Sequence, residues 1–366
     1  MPATFRVASF NVENLFSRAK VLNLSQHDVV DDKLARIDKL NKLIHKAAPF
    51  TSNQKAEIVR LYAELKDYVT IRENRGAKLF NRSRTKVVAK SGTDWDGELE
   101  FTRENFTKVT RENTAKVFKT LKADVACVVE AEDRPSLKTF DSHLLGSHYK
   151  YEMLLDANDS RGIDVGIYSR FPLGGIWTHM FDRNGNSATF SRDCPEYEVL
   201  LPNGKSLFVL CNHLKSKGYD SRGTANQRRK KQAGAIAEIL GDYDLASDWV
   251  VVAGDMNDTP DSDPLQPLLG VPNLFDVLEL QFGDHPELRW TYEYKKAFDQ
   301  IDYVLVSKPL KERLKKAGVE RRGIFGLHGL TSGTAGRIPT ETEFSTVTEP
   351  GNAASDHGAV WAEFRL

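Results

Sequence analysis

No stretch of this chain approaches the ~20 consecutive apolar residues that cross a bilayer, so no membrane-spanning helix is expected. The opening residues, Met-Pro-Ala-Thr-Phe-Arg-Val-Ala-Ser-Phe, pass straight into strand-like alternation. They lack a basic head followed by an apolar core, so no secretory signal is read, and a cytoplasmic location is expected unless the chain is a processed one. Net charge is also missing, since 51 Lys and Arg balance 51 Asp and Glu. Any attraction for a polyanion must then come from uneven placement of charge. Cysteine is scarce and odd in number: Cys127, Cys194 and Cys211 stand far apart, two of them inside apolar runs. That excludes a disulfide framework and zinc-type spacing, and reads as three small buried hydrophobes in a reducing compartment. Internal repeats and low-complexity linkers are absent as well.

What is present is a regular succession of short apolar runs that end in polar clusters. Phe5–Phe10, Val125–Val129, Val165–Tyr168, Ser206–Cys211, Trp249–Ala253, Ile301–Val306 and Gly358–Phe364 are rich in Val, Ile, Leu and aromatics, and read as buried strands. Helical periodicity lies between them, most clearly in 106–121 and 225–240. Sheets covered on both faces imply a layered α/β architecture. Residues 17–105 break the rhythm: 33–44 and 54–69 place apolar residues at helical spacings of three and four, and 79–101 alternates as a hairpin would. The expectation is one catalytic domain over 1–366 with a mainly helical insertion at 17–105.

Acids, amides and histidines recur where the predicted strands end. Ser9-Phe10-Asn11-Val12-Glu13 closes the first, Val128-Val129-Glu130 the second and Cys211-Asn212-His213 a middle one. Gly254-Asp255-Met256-Asn257 follows another, while Gln300-Ile301-Asp302-Tyr303 and Ser355-Asp356-His357 open the last two. Residues two apart on an extended segment face the same way, so Asp255 and Asn257 would share a pocket while Met256 turns inward. Glu130 ends a run too apolar for a surface loop, and a carboxylate there needs a partner such as a hard cation. Glu132, two residues on, competes for that role. Oxygen ligands from Asn11, Glu130 and Asp356 would suit Mg²⁺. Each piece alone reads as a turn, a cap or a hydrogen-bonded core group; their order and setting together carry the signal.

The series Asn-Val-Glu-Asn-Leu-Phe, Glu130 after Asp-Val-Ala-Cys-Val-Val, Asn-His-Leu-Lys-Ser at 212–216, Gly-Asp-Met-Asn at 254–257, Ile-Asp-Tyr-Val at 301–304 and Ser-Asp-His at 355–357 resembles, in order, the motifs of the endonuclease/exonuclease/phosphatase superfamily. The resemblance implies a four-layer α/β sandwich, two packed mixed β-sheets flanked by helices. It implies Asn11, Glu130 and Asp356 around Mg²⁺, with Mn²⁺ or Ca²⁺ as alternatives. By the same resemblance Asp255 prepares the attacking water, Asn257 binds phosphate, His357 is the essential histidine with Asp302 beside it, and His213 is a second histidine. Asp164, in Arg161-Gly162-Ile163-Asp164, is the expected partner of His213.

The substrate then expected is nucleic acid, with no protein partner evident. Lys215, Lys217, Arg222, Arg228, Arg229, Lys230 and Lys231 form one basic cluster, and Arg72, Arg75, Lys78, Arg82, Arg84, Lys86 and Lys90 another. Such unevenness in a neutral chain would track a phosphate backbone. Arg161 and Lys215 are the expected individual phosphate clamps. The alternatives are a phosphomonoesterase for an inositol polyphosphate or other small ester, and a catalytically silent binding protein. Phe298-Asp299-Gln300-Ile301-Asp302 departs from the Trp-Cys-Asp-Arg signature of the inositol phosphatases, and every matched catalytic position is intact.

Overall fold

The computed structural model describes residues 4–24, 26–159, 161–185, 187–217 and 222–366, with the side chains of His27, Asn184 and Arg222 outside the description. The side chain of Arg222, one of the basic cluster after His213, therefore lies outside the described residues. The chain divides into two compact units, the larger built from the segments up to Phe16, Phe106–Lys217 and Gly223–Leu366, the smaller from Ser17–Asn105.

In the larger unit two six-stranded sheets form. The first runs, in spatial order, Leu314–Glu320, Ala359–Arg365, Thr4–Asn11, Val125–Ala131, Asp164–Ser169 and Tyr151–Leu154. The second runs Leu274–Asp276, Asp302–Ser307, Trp249–Asp255, Ser206–His213, Glu196–Leu200 and Leu173–Trp177. Each is mixed, with a parallel pair at its centre, Thr4–Asn11 beside Val125–Ala131 and Ser206–His213 beside Trp249–Asp255. Parallel neighbours need a crossover, and here each crossover carries a helix, Lys108–Leu121 in one case and Arg222–Ile239 in the other.

Strand alternation builds the layers. Val125, Cys127 and Val129 face the second sheet's Val209, Cys211, Val251 and Ala253 in a core between the sheets. Ala126 and Val128 point the other way, onto Ala115, Val117, Phe118 and Leu121 of the first helix. Leu210, Val250 and Val252 likewise meet Ala233 and Ile236 of the second helix. The result is helix, sheet, sheet, helix, the four-layer sandwich expected from the motif series. All three cysteines are buried and free, and burial pushes the thiols of Cys194 and Cys211 well above their usual range. Among the described residues no helix is long and apolar enough to cross a membrane.

The seven apolar runs fall on strands, to within a residue at Ile301 and Gly358; the inner strand Glu196–Leu200 is not among them, nor are the four strands that edge the sheets, Tyr151–Leu154, Leu173–Trp177, Leu274–Asp276 and Leu314–Glu320. The longer ones mix half-buried and exposed positions, so they carry none of the continuous apolar signal of a central strand.

The smaller unit has two helices, His27–Ile44 and Ser52–Leu65, the latter opened by a Thr51–Gln54 capping box. The expected helix over 54–69 stops early, because Val69–Glu73 pairs as a strand with Gly97–Phe101. The expected hairpin within 79–101 is thus replaced by a pairing that reaches back to residue 69, with only an isolated bridge between Phe80 and Val87 inside it. Ile37, Leu40, Ile58, Leu61, Val69 and Ile71 share one core.

Candidate active site

One rung of the second sheet sets the site. His213 is the register partner of Asp255, and Asp255 is the register partner of Asp302. Side chains on one rung share a face of the sheet, so three reactive groups from distant parts of the chain are lined up by backbone pairing alone. Gly254 permits the close approach: its φ is 141°, and a Cβ there would overlap the Asn212 carbonyl.

The first sheet supplies the facing groups. Asn11 ends its strand and donates Nδ2–H to Asp255 Oδ2 at 3.3 Å, joining the two sheets at the site. Glu130 sits where the register of Val125–Ala131 against Asp164–Ser169 shifts, with a left-handed φ of 63°. Such a bulge re-aims one side chain out of strict alternation. Glu130 Oε1 lies 3.7 Å from His213 Nε2, while Glu130 Oε2 is buried without a hydrogen-bond partner. Glu132, its rival in the sequence, accepts from the backbone N–H groups of Leu15 and Phe16 and so braces the loop after the first strand.

Asp255 is closely held. Its Oδ1 accepts from the Asn257 backbone N–H at 2.8 Å and its Oδ2 from Asn257 Nδ2 at 3.0 Å. Asn257 reaches this position with a φ of 55° and also donates to the Leu214 carbonyl. Burial, followed by the charge of Asp302, pushes the Asp255 carboxyl up to about 7. Asp302 Oδ2 accepts from His357 Nδ1 at 2.8 Å, the pairing expected from the motif order. Burial works against a charged His357, but the Asp302 and Asp356 carboxylates overcome it and hold the ring well above the usual histidine range. The His357 ring packs against Tyr292 at 5.0 Å between centroids, and its Nε2 lies 3.8 Å from Asp356 Oδ1.

His213 is different. Burial first, then the charges of Arg192 and Arg161, push its pKa well below the usual range, so it is a neutral imidazole. Its Nδ1 has no hydrogen-bond partner, and neither does Asp164 Oδ2. The expected pairing of Asp164 with His213 is therefore not made. Asp164 Oδ1 instead accepts from the Ala157 backbone N–H, and burial, with the charge of Asp156, pushes this carboxyl up to about 8.

Arg161 forms a two-point hydrogen bond with Asp159, at 2.8 and 2.6 Å. Arg192, absent from the sequence reading, meets the same carboxylate at 2.9 Å and donates to the Leu214 carbonyl beside His213. Nothing in its Ser-Arg-Asp-Cys setting marks it; only tertiary contact brings it in. Lys215 is buried, with its backbone N–H on Gln232 and its carbonyl accepting from Arg229. The basic cluster after it is partly engaged within the protein, while Arg228 and Lys231 are exposed. Arg229 is fully buried and pairs with Asp258, which also takes Lys217, and Lys230 pairs with Asp263. In the other cluster Arg72 is paired with Glu98 and Glu100, and Arg84 stacks on Tyr62.

The buried, partnerless Glu130 Oε2 tests whether these residues suit a divalent cation. A carboxylate oxygen removed from water without a donor is costly unless a cation or water meets it, and oxygen donors of the kind expected from Asn11, Glu130 and Asp356 are those a hard ion takes. Asp255, Asp302 and His357 form a second buried group, with ligand-type atoms within 4.8 Å of one another.

The family model described as the Endonuclease/Exonuclease/phosphatase family matches residues 102–357. Among solved structures, an endonuclease/exonuclease/phosphatase family protein of Bacteroides thetaiotaomicron aligns over 100% of both chains at 14% identity, with a TM-score of 0.50. TDP2 of Caenorhabditis elegans, in truncated form, aligns over 70% of this chain and 91% of its own at 21% identity, with a TM-score of 0.48. A Bacteroides vulgatus endonuclease/exonuclease/phosphatase aligns over 71% and 91% at 14% identity, with a TM-score of 0.49. No curated protein matches the chain by sequence. Likeness at these identities speaks of fold, whereas the family match covers most of the chain and includes all the site elements after the first strand: the chain belongs to the endonuclease/exonuclease/phosphatase family.

Proposed function

We propose that this protein hydrolyses phosphodiester bonds in nucleic acid, with a divalent cation, by attack of water on phosphorus. The observation that carries the reading is the rung His213, Asp255, Asp302, with His357 bonded to Asp302 and a buried, unpartnered carboxylate oxygen on Glu130, whose other oxygen lies 3.7 Å from His213. Attack on a phosphodiester builds negative charge on the non-bridging and leaving oxygens, and groups that meet this charge more strongly in the transition state accelerate the reaction.

Each residue then has a role set by its surroundings. Asp255, poised near neutrality and fixed by three donors, takes a proton from the attacking water. His357, held protonated by Asp302, donates to a phosphate oxygen. His213, neutral, offers one N–H, and Asn257 one amide. Arg161 and Arg192 contribute fixed positive charge felt by His213, and Lys215 follows His213 by two residues. Glu130, Asn11 and Asp356 would hold the cation. When bound, it would polarise the phosphoryl group and lower the pKa of a coordinated water. The trio of Asp255, Asp302 and His357 is less suited to that task, because a protonated ring with Nδ1 already bonded has no lone pair to give.

The test is to incubate the purified protein with supercoiled plasmid and with single-stranded DNA and RNA, in Mg²⁺ and in Mn²⁺. EDTA and His357→Ala are the paired controls. Cleavage that both abolish supports the reading. A folded preparation that cleaves none of these but releases phosphate from small monoesters would replace it with the phosphomonoesterase alternative.

A further inference from the structure

Among the described residues no large apolar side chain is more exposed than Phe181, at 76%. It occupies a four-residue turn, His179–Asp182, closed by the Asp182 N–H on the His179 carbonyl at 3.1 Å, with Met180 and Phe181 as the central pair. Turn centres favour Gly, Asn, Asp and Pro, so an exposed phenyl ring there has no local explanation.

The turn is braced with unusual thoroughness for a surface loop. The His179 ring lies between two carboxylates, Nδ1 on Asp182 at 2.8 Å and Nε2 on Glu196 at 2.9 Å. The hydrogen bond that His179 gives to Glu196 leads in pushing this histidine up to about 9. Asp193 accepts from Thr178 Oγ1 at 2.6 Å and from the His179 N–H at 2.7 Å. Asn158 Nδ2 donates to the Met180 carbonyl at 2.9 Å. The last two braces have a shared consequence. Asp193 follows Arg192, and Asn158 precedes Asp159, the carboxylate that both Arg161 and Arg192 grip. The turn is tied on both sides to the segments that present the arginines beside His213.

We propose that Phe181 is a base-stacking platform, on which the base of a nucleotide flanking the scissile phosphate rests, making single-stranded nucleic acid the substrate class of this site. The inference rests on the phosphodiesterase reading above. Its physical basis is that only unpaired, unstacked bases offer a free face to a protein ring, and an aromatic carried on a braced turn is presented to such a face at a fixed place. The arginines lend positive charge to the side of the site where the backbone would run and the ring meets the base, a combination that is tolerant of sequence.

The test uses the full chain and a labelled single strand in which one nucleotide at a time is replaced by an abasic residue, with wild type, Phe181→Ala, Phe181→Leu and Phe181→Trp compared in Mg²⁺. Phe181→Ala is expected to lower kcat/KM on the intact strand by about 5- to 100-fold, mainly through KM, with Leu similar and Trp close to wild type. An abasic residue at one position beside the cut bond should cost wild type the same factor and cost Phe181→Ala nothing. Equal cleavage of the intact strand by wild type and Phe181→Ala, at equal Tm, overturns the stacking role alone. So does an abasic penalty identical in both proteins. A folded wild type that nicks supercoiled plasmid but cleaves no single strand overturns the proposal and leaves the phosphodiesterase reading standing; one that cleaves neither overturns both.

Discussion

His179 allows the electrostatic part of the argument to be tested without any substrate. Its side chain is 17% exposed and bonded at both ring nitrogens to carboxylates, with a pKa near 9. Against an ordinary histidine at about 6.5, a rise of roughly 2.5 units is worth about 3 kcal/mol at 1.36 kcal/mol per unit. Solvent screening of the exposed Asp182 side reduces this to about 1–2 kcal/mol. The folded state binds the proton more tightly than the unfolded chain, so the stabilisation is complete below about pH 6.5. It fades as pH rises, and is gone above about 9. His179→Gln removes the charge at nearly constant volume. Thermal unfolding of the larger unit, followed at pH 6, 7.5 and 9.5, should show the variant lower in Tm by on the order of 2–5 °C at pH 6. The gap should shrink steadily towards pH 9.5. A gap that stays constant, or widens with pH, would refute the claim that a protonated His179 locks the turn.

Further outcomes follow from the same contacts. Asp302→Asn removes the nearest charge that keeps His357 protonated; strand cleavage at neutral pH should drop by roughly 10²- to 10⁴-fold, and the alkaline limb of the pH–rate profile should move to lower pH. An unchanged limb would disconnect the pair from catalysis. Phe118 is buried against Phe10, Phe140 and Tyr168. Phe118→Ala should therefore cost about 3–5 kcal/mol in denaturant unfolding of the larger unit, and a loss under 1 kcal/mol would mean that this layer is not a packed core.

Much of this architecture was legible because central strands advertise themselves. Val125–Ala131 and Trp249–Asp255 are buried on both faces, so their apolar runs stand out from any helix-period pattern. The edge strands do not, since one face or one end meets water. The rung of His213, Asp255 and Asp302 was foreshadowed by polar residues at strand ends, yet its alignment is a matter of register between strands that a sequence does not specify. Arg192 and Asp159 were invisible for a similar reason: each becomes informative only when folding brings it to the other. The pairing of Asp164 with His213 is not made, because Asp164 accepts instead from the Ala157 backbone N–H, a contact that the sequence does not signal. Within the basic cluster after His213, composition does not separate Arg229 and Lys217, engaged with Asp258, from the exposed Arg228 and Lys231.

The central claim is that Glu130 anchors the cation on which phosphodiester cleavage depends. Its most direct test is the rate of strand cleavage as a function of Mg²⁺ concentration, for wild type and for Glu130→Gln, with folding checked by Tm. The predicted result is a saturating Mg²⁺ dependence in wild type, and in the variant a half-activating concentration raised by ten-fold or more, or no measurable cleavage. Wild-type cleavage that persists in EDTA, or a variant with an unaltered Mg²⁺ dependence, would contradict it.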